Sequence, residues 1–162
     1  TTSRLSLESR MILEYAKVHG DAIEPQRANP SDAGLDVFFS PKDSATVLIN
    51  PGESKILETG LKFGVPHGYM LEVKNRSSVA AKRSLIVGAC VIDSGYDGEV
   101  FINLHNVGSE IQVIVPAAKI AQLVMIPVVH FRAMVNSSGD LYQNPITISD
   151  RGDGTLGSTD NV

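Results

Sequence analysis

The chain has 162 residues and a formal net charge of −4 at pH 7, and 43% of its residues are hydrophobic. These values predict one globular domain with a hydrophobic core, and they exclude a global basic field that would recruit nucleic acid or an acidic membrane. The single cysteine, Cys90, excludes an intrachain disulfide and a cysteine-based zinc site, and it suits a reducing compartment. We therefore expect a protein of the cytoplasm, or of a nucleus or a host cytoplasm, with no membrane span and no direct contact with nucleic acid.

Short apolar runs separated by Gly and Pro follow one another along most of the chain. Residues 1–10 are rich in Ser, Thr and Arg, and we expect them to be disordered, either as a native extension or as a remnant of cloning or processing. Residues 11–18 favour a strand and 20–31 a loop. Further strands are predicted at residues 35–39, 45–49, 55–57, 61–65, 69–73, 85–92, 99–104, 111–115, 119–127 and 128–135.

This spacing of strands and turns predicts the fold class. Many short strands with no long helical period favour an all-β protein, a β-sandwich or distorted jelly roll. A single helical turn is predicted at residues 79–82. Residues 149–162 carry glycines among small polar residues and predict a mobile C-terminal arm, so the β domain would span residues 11–148.

The most informative connection is Asp93-Ser94-Gly95-Tyr96-Asp97-Gly98, which joins two apolar runs. Asp-Gly at this place indicates a tight hairpin, because Gly adopts positive φ without steric cost. The turn would hold the Asp93 carboxylate and the Tyr96 ring rigidly. It could be an ordinary surface hairpin or the wall of a small-molecule pocket.

Other polar residues interrupt the apolar pattern. Arg76, Ser77 and Ser78 supply the donors that bind phosphate oxygens, although a solvated turn would look the same. Gln122 stands alone in an apolar run and must be hydrogen-bonded, to backbone or to a ligand. Asp36 needs a partner if it is buried, so an Asp–Arg pair and a ligand role are both open.

The glycine-rich C-terminal segment carries Arg151, Ser158 and Thr159. Such a segment can wrap a polyphosphate, with N–H and O–H groups donating while Gly allows close approach. A disordered C-terminus is the alternative.

Five segments in fixed order resemble the five motifs of the trimeric dUTP pyrophosphatase (dUTPase) family: D-A-G-L-D-V, R-S-S-V-A-A-K, G-A-C-V-I-D-S-G-Y-D-G-E-V, K-I-A-Q-L-V and R-G-D-G-T-L-G-S-T. The resemblance spans residues 32–159, and its third motif is the most specific. All five in order are far more specific than any one of them alone.

The resemblance implies a jelly roll that assembles as a homotrimer, with three active sites at subunit interfaces and the C-terminal arm exchanged to close over them. The implied reaction is hydrolysis of dUTP to dUMP and pyrophosphate, which limits uracil incorporation into DNA and supplies dUMP for thymidylate synthesis. Mg²⁺ would be the cofactor, held mainly by substrate phosphates and water, so no ligand cage is expected in the sequence.

The resemblance also implies a role for each motif residue. Asp93 would orient or deprotonate the water that attacks the α-phosphorus. Tyr96 would pack against the deoxyribose and disfavour a 2′-hydroxyl. The strand before Asp93 would pair with the uracil edge and leave no room for the methyl group of thymine; its residues are Ala89, Cys90, Val91 and Ile92.

The remaining motifs would hold the phosphates. Arg76, Ser77 and Ser78 match the second motif, and Gln122 matches the polar residue of the fourth. Asp36 matches the acid of the first motif, in a supporting role. The fifth motif would cover the terminal phosphates and the base; its matching residues are Arg151, Leu156, Gly157, Ser158 and Thr159.

The sequence departs from the family pattern at four places. Leu156 replaces an aromatic residue that stacks on uracil, and Thr155 replaces a Gly of the same motif. Cys90 also replaces a Gly, and it would be strained if positive φ were needed there. Ala117-Ala118 replaces Gly-Asp. These departures leave two alternatives open: a binding or regulatory protein on the same fold, and a relative of dCTP deaminase.

Overall fold

The structure is a computed structural model that describes residues 11–142 and 152–154. The chain divides into two compact units, one ending at His130 and the other beginning at Phe131. The predicted extension at residues 1–10 and most of the predicted arm lie outside the described residues, so what the sequence suggests for them stays a prediction. Within the described ranges, no helix is long and apolar enough to cross a membrane.

The first unit consists of short antiparallel strands and one helix. A four-stranded sheet has the order β2-β11-β6-β8, a three-stranded sheet has the order β4-β9-β7, and two further pairs are β1-β5 and β3-β10. This arrangement confirms the predicted all-β class with one short helix. The elements are β1 (Glu14–Lys17), β2 (Leu35–Phe38), β3 (Val47–Ile49), β4 (Ser54–Glu58), β5 (Leu61–Gly64), β6 (Tyr69–Lys74), α1 (Ser77–Arg83), β7 (Leu85–Val87), β8 (Val91–Ile92), β9 (Phe101–Asn106), β10 (Gln112–Ile114) and β11 (Lys119–Pro127).

One hydrophobic core lies between the two larger sheets. Alternate residues of β9, Ile102 and Leu104, point into it from the three-stranded sheet, and Leu71 and Leu123 enter it from the four-stranded sheet. This is the alternation expected of strands with one face on the core. Asn106 is buried, and its side-chain amide donates to the carbonyl of Ile49, the last residue of β3, and to the carbonyl of Glu110.

The helix α1 is longer than the predicted turn at residues 79–82. It ends at Ser84, which adopts the left-handed conformation with φ of 53°. Arg83 fixes this end, because its side chain donates to Gln112 Oε1 and to the carbonyl of Val113. Arg76 lies directly before the helix, at the end of the loop that leaves β6.

The predicted hairpin at residues 93–98 is wrong in two respects. First, the predicted strand at 85–92 is divided: Val87 pairs with Leu104 in the three-stranded sheet, whereas Ile92 pairs with Leu71 of β6 in the other sheet. Second, the turn runs from Asp93 to Tyr96, with positive φ at Gly95 rather than at Gly98. After Gly88 N–H bonds to the carbonyl of Asn103, the chain leaves the three-stranded sheet, and β8 becomes the edge strand beside β6.

The predicted strand at residues 128–135 is also wrong. After Pro127 the chain makes one bond to the β5-β6 turn, from Val128 N–H to the carbonyl of Gly68, and then forms no strand. Four apolar side chains of this segment are 77–92% exposed: Val129, Phe131, Met134 and Val135. A strand needs a neighbour, and the described part of this chain supplies none here.

Candidate active site

The predicted site residues line two separate cavities in the first unit. The first, which we call the Asp93 cavity, has a volume of about 220 Å³ and is lined by Val91, Ile92, Asp93, Tyr96, Glu99, Val100 and Phe101. The second, which we call the Arg76 cavity, has a volume of about 310 Å³ and is lined by Ala28, Asp32, Ala33, Gly34, Asp36, Arg76, Ser77, Ser78 and Gln122. The two cavities have no lining residue in common.

The Asp93 cavity is shaped by the turn that follows β8. Asp93 is exposed, and its carbonyl accepts a hydrogen bond from Tyr96 N–H at 3.3 Å. The Tyr96 hydroxyl donates to the carbonyl of Glu99 at 2.9 Å, which fixes the ring over Gly98. A Cβ at Gly98 would overlap the Tyr96 ring, so the ring can pack against the backbone at this position only because the residue is glycine. The ring is therefore a preset wall beside the Asp93 carboxylate.

Four side-chain bonds tie this loop to neighbouring elements, and one of them is the exposed pair of Lys62 Nζ with Asp97 Oδ1 at 2.9 Å. Ser94 Oγ donates to the carbonyl of Val65 at 3.1 Å. The Glu99 carboxylate accepts Gly60 N–H at 2.7 Å, and the Thr59 hydroxyl donates to the carbonyl of Val100 at 2.6 Å. Because the bonds engage both ends of the loop, the loop holds Asp93 and Tyr96 in fixed positions.

The strand leading to Asp93 was predicted to read the uracil edge. Val91 and Ile92 line the Asp93 cavity, whereas Ala89 and Cys90 are not among the described residues that line it. The carbonyl of Cys90 accepts Val73 N–H at 2.8 Å and so belongs to the sheet ladder. Cys90 does not adopt positive φ, so its side chain causes no backbone strain at this position.

The Arg76 cavity contains a charge cluster. Arg76 Nε donates to one carboxylate oxygen of Asp36 at 2.8 Å, and Lys119 Nζ lies 3.2 Å from the other. Asp36 is only 7% exposed, and it has the Arg partner that the sequence allowed, with Lys119 as a second cation. The cluster carries one net positive charge. The Nη groups of Arg76 are not engaged by any described residue, and they are donors suited to phosphate oxygens.

Lys119 reaches Asp36 through a β-bulge. The pairing of β11 with β2 shifts register between Lys119 and Ala121. In a regular strand, residues three apart lie on opposite faces, so Lys119 and Gln122 would be separated. The extra residue brings them to the same face, beside Asp36, which pairs with Gln122 across the ladder.

Gln122 lies between β2 and β6 and faces the Arg76 cavity. Its Nε2 donates to the backbone carbonyl of Asn75 at 2.8 Å. A carbonyl can only accept, so this bond sets the orientation of the amide and directs Oε1 towards Gly34. A Cβ at Gly34 would overlap that oxygen. Gly34 is thus required by the position of Gln122.

Ser77 and Ser78 form the first turn of α1 and line the same cavity. Backbone N–H groups in the first turn of a helix have no acceptor within the helix, so these two residues add N–H and O–H donors. Asp32 also lines the cavity, and its carboxylate accepts from the backbone and side chain of Asn29.

The residues of the fifth motif, Arg151, Leu156, Gly157, Ser158 and Thr159, lie outside the described residues.

Sequence reasoning missed several neighbours of the site. Gly34 and Glu99 stand inside recognised motifs, so their position was a usable signal. Lys119 also stands inside a recognised motif, although its contact with Asp36 depends on a bulge. Phe101 gave no signal, because its placement depends on a crossing between sheets.

The two cavities lie towards opposite ends of β6. Ile92 pairs with Leu71, so Asp93 follows near Met70, whereas Arg76 lies six residues further along the chain from Met70. At about 3.3 Å per residue, the four steps from Met70 to Lys74, the last residue of β6, cover about 13 Å, and Arg76 lies two residues beyond that end. Asp93 and Arg76 of one chain therefore line different cavities.

The comparisons with known proteins agree with the motif order. A dUTPase family model matches residues 21–159. A deoxyuridine 5'-triphosphate nucleotidohydrolase of Anaplasma marginale is 37% identical over 155 residues, covering 91% of this chain and 95% of the relative. One of Clostridium acetobutylicum is 37% identical over 149 residues, with the same coverage.

Solved structures show the same fold. A mutant of the Staphylococcus bacteriophage 80alpha dUTPase with dUpNHpp gives a TM-score of 0.73 at 24% identity, covering 91% of this chain and 97% of that one. A mutant dUTPase from phage phi11 of S. aureus, described as showing the coordination of a structural Mg(II) ion, gives a TM-score of 0.70 at 24% identity. The family match covers most of the chain and includes the residues of both cavities, so this protein belongs to the dUTPase family.

Proposed function

We propose that this protein carries out the reaction of its family, hydrolysis of dUTP to dUMP and pyrophosphate, with the Asp93 cavity binding the nucleoside and the Arg76 cavity binding the phosphates. The observation that carries the proposal is the division of the motif residues between two chemically different cavities. One offers a carboxylate and an aromatic wall, and the other offers cationic and neutral donors.

We infer that the two halves are brought together by self-association as a homotrimer. Within one chain the two halves are separate cavities, whereas a neighbouring copy could offer its Arg76 cavity to the Asp93 cavity of the first. The exposed apolar side chains at residues 129–135 also favour association, since they bury nothing within the described chain.

In the nucleoside half, Asp93 would accept a proton from, or orient, the water that attacks the α-phosphorus. Unassisted water is a poor nucleophile, so a positioned carboxylate accelerates this step. The Tyr96 ring would exclude a 2′-hydroxyl, and the strand at residues 89–92 would leave no room for a thymine methyl group. The glutamate of this cavity, Glu99, accepts Gly60 N–H through one carboxylate oxygen.

In the phosphate half, the Nη groups of Arg76 and the donors of Ser77 and Ser78 would bind phosphate oxygens. Gln122 would orient groups near the α-phosphate. The fifth motif would cover the terminal phosphates through Arg151, Ser158 and Thr159, while Leu156 and Gly157 would lie over the base.

A magnesium ion fits this arrangement if it is held by the substrate. The described residues contain no cluster of three or more His, Cys, Asp or Glu side chains that could hold a metal. The Arg76 cavity instead supplies donors to phosphate, and Mg²⁺ is commonly bound through phosphates and water. When bound, the ion would offset the negative charge of the triphosphate.

The test is dUTP turnover by the purified protein in the presence of Mg²⁺, with Asp93→Asn beside it. We expect the wild type to release pyrophosphate, and the variant to lose about 100-fold or more in kcat while keeping its affinity for a non-hydrolysable dUTP analogue. Absence of turnover by the wild type at micromolar concentration would contradict the proposal. Ammonia release from dCTP would show a deaminase instead.

A further inference from the structure

We propose that Asn75 is a positioning residue of the Arg76 cavity, acting through the backbone segment that carries both Arg76 and the acceptor of Gln122. This inference rests on the proposed roles of Arg76 and Gln122. Asn75 lines neither cavity, and it is the residue that joins β6 to the segment before α1.

Asn75 makes two hydrogen bonds with different parts of the molecule. Its side-chain Oδ1 accepts Val87 N–H, at the end of β7, at 2.8 Å. Its backbone carbonyl accepts Gln122 Nε2, on β11, also at 2.8 Å. Because Arg76 is the next residue, one peptide unit connects the acceptor of Gln122 with the residue that carries the guanidinium.

The side chain of Asn75 therefore controls the direction of its own carbonyl. The loop between β6 and α1 has no ladder partner at this residue, since the pairing of β6 with β11 ends at Lys74. The bond to Val87 supplies the missing constraint. Without the bond from Val87 N–H to Asn75 Oδ1, the Asn75 peptide can rotate. The acceptor of the Gln122 amide and the first residue of α1 are then no longer held in fixed positions.

The hydrogen bond from Val87 N–H to Asn75 Oδ1 fixes the orientation of the Asn75 peptide more than it stabilises the fold. Asn75 is exposed, so water can satisfy Val87 N–H when the side chain is removed. What water cannot replace is the fixed orientation of the Asn75 carbonyl. A loss of rate without a comparable loss of thermal stability is therefore the signature of this role.

The experiment compares Asn75→Ala with Asn75→Asp in dUTP turnover. Asparagine accepts through Oδ1, and aspartate keeps an acceptor oxygen at the same place, so Asn75→Asp preserves the bond to Val87. We expect Asn75→Ala to lose about 10-fold or more in kcat, because displacement by about 1 Å costs up to about 100-fold. Asn75→Asp should keep kcat within about threefold of the wild type and raise KM, since its charge repels the triphosphate.

A double-mutant cycle with Gly34→Ala tests the path through Gln122. Both substitutions are expected to misplace the same amide, so their effects on kcat should be clearly less than additive. The matched control is Asn50→Ala, which removes an exposed asparagine that bonds to Glu53 in a turn outside both cavities and should leave kcat unchanged.

Three results would overturn the inference: Asn75→Ala with kcat within about twofold of the wild type, Asn75→Asp losing as much kcat as Asn75→Ala, or additive effects in the cycle. A wild type without dUTP turnover would contradict the proposed function instead. The inference is then decided by hydrogen exchange and by affinity for a non-hydrolysable dUTP analogue. Faster exchange at Val87 N–H together with weaker binding in Asn75→Ala would support it, and wild-type values of either would overturn it.

Discussion

The two cavities are built by different physical means. The Asp93 cavity is a loop between two sheets, fixed by hydrogen bonds to backbone carbonyls and by a ring resting on Gly98. The Arg76 cavity lies on the four-stranded sheet and is organised by charge, with Asp36 holding Arg76 and Lys119. A nucleoside is recognised by shape, which a rigid loop provides, whereas a triphosphate is recognised by donors and charge. Each half can therefore be perturbed by its own kind of substitution.

The largest effect is expected when the charge cluster is broken. Asp36→Ala removes the buried carboxylate shared by two partly exposed cations, so we expect a loss of about 2 kcal/mol in the free energy of unfolding. Urea denaturation measures this loss. The matched surface pair is Lys62–Asp97, which is exposed, and Asp97→Ala should cost about 0.5 kcal/mol or less. Equal losses in the two variants would mean that Asp36 does not organise its cavity.

A smaller and more local effect is expected from Gly34→Ala. The added methyl group overlaps Gln122 Oε1 and must push the amide away from its bond with Asn75. Gly34 does not need positive φ, so the backbone accepts Ala. We expect kcat to fall by about 10-fold, with dUTP still preferred over UTP. Reduced discrimination against UTP would show that the two halves are not separable.

The corresponding substitution in the other cavity is Gly98→Ala. Its methyl group meets the Tyr96 ring, which would have to leave the cavity wall. We expect the ratio of kcat/KM for dUTP to that for UTP to fall by about 10-fold, which corresponds to about 1.4 kcal/mol of discrimination. Tyr96→Phe provides the comparison, because it removes the bond to Glu99 but keeps the ring. An unchanged ratio in Gly98→Ala would contradict the assignment of Tyr96 to the sugar.

The smallest effect is expected in the turn that leads into β11. Ala117 adopts φ of 72°, a conformation that costs a residue with a Cβ about 1 kcal/mol, and Pro116 precedes it as in a type II turn. Ala117→Gly should therefore stabilise the fold by about 1 kcal/mol, measured by urea denaturation. Ala118→Gly is the control, since Ala118 does not have positive φ and packs against the core. Stabilisation by both variants would contradict this explanation.

Much of the site was accessible from the sequence because its chemistry is local. The order of five short motifs identified Asp36, Arg76, Tyr96 and Gln122, which line the two cavities. The Asp-Gly pair, in contrast, predicted a turn at the wrong glycine. The alternation of apolar residues shows that a segment is a strand, but it does not show which sheet edge the strand will join.

What the sequence by itself determined is therefore the all-β class, the family and the chemical types at the site. The tertiary structure alone decided that Ile92 joins β6 rather than β9, that a bulge places Lys119 beside Asp36, and that Asn75 connects Val87 with Gln122. It also placed the two halves of the site in separate cavities. The physical reason is that residue chemistry is carried by each side chain, whereas strand pairing and register depend on partners far along the chain, chosen by the packing of the whole core.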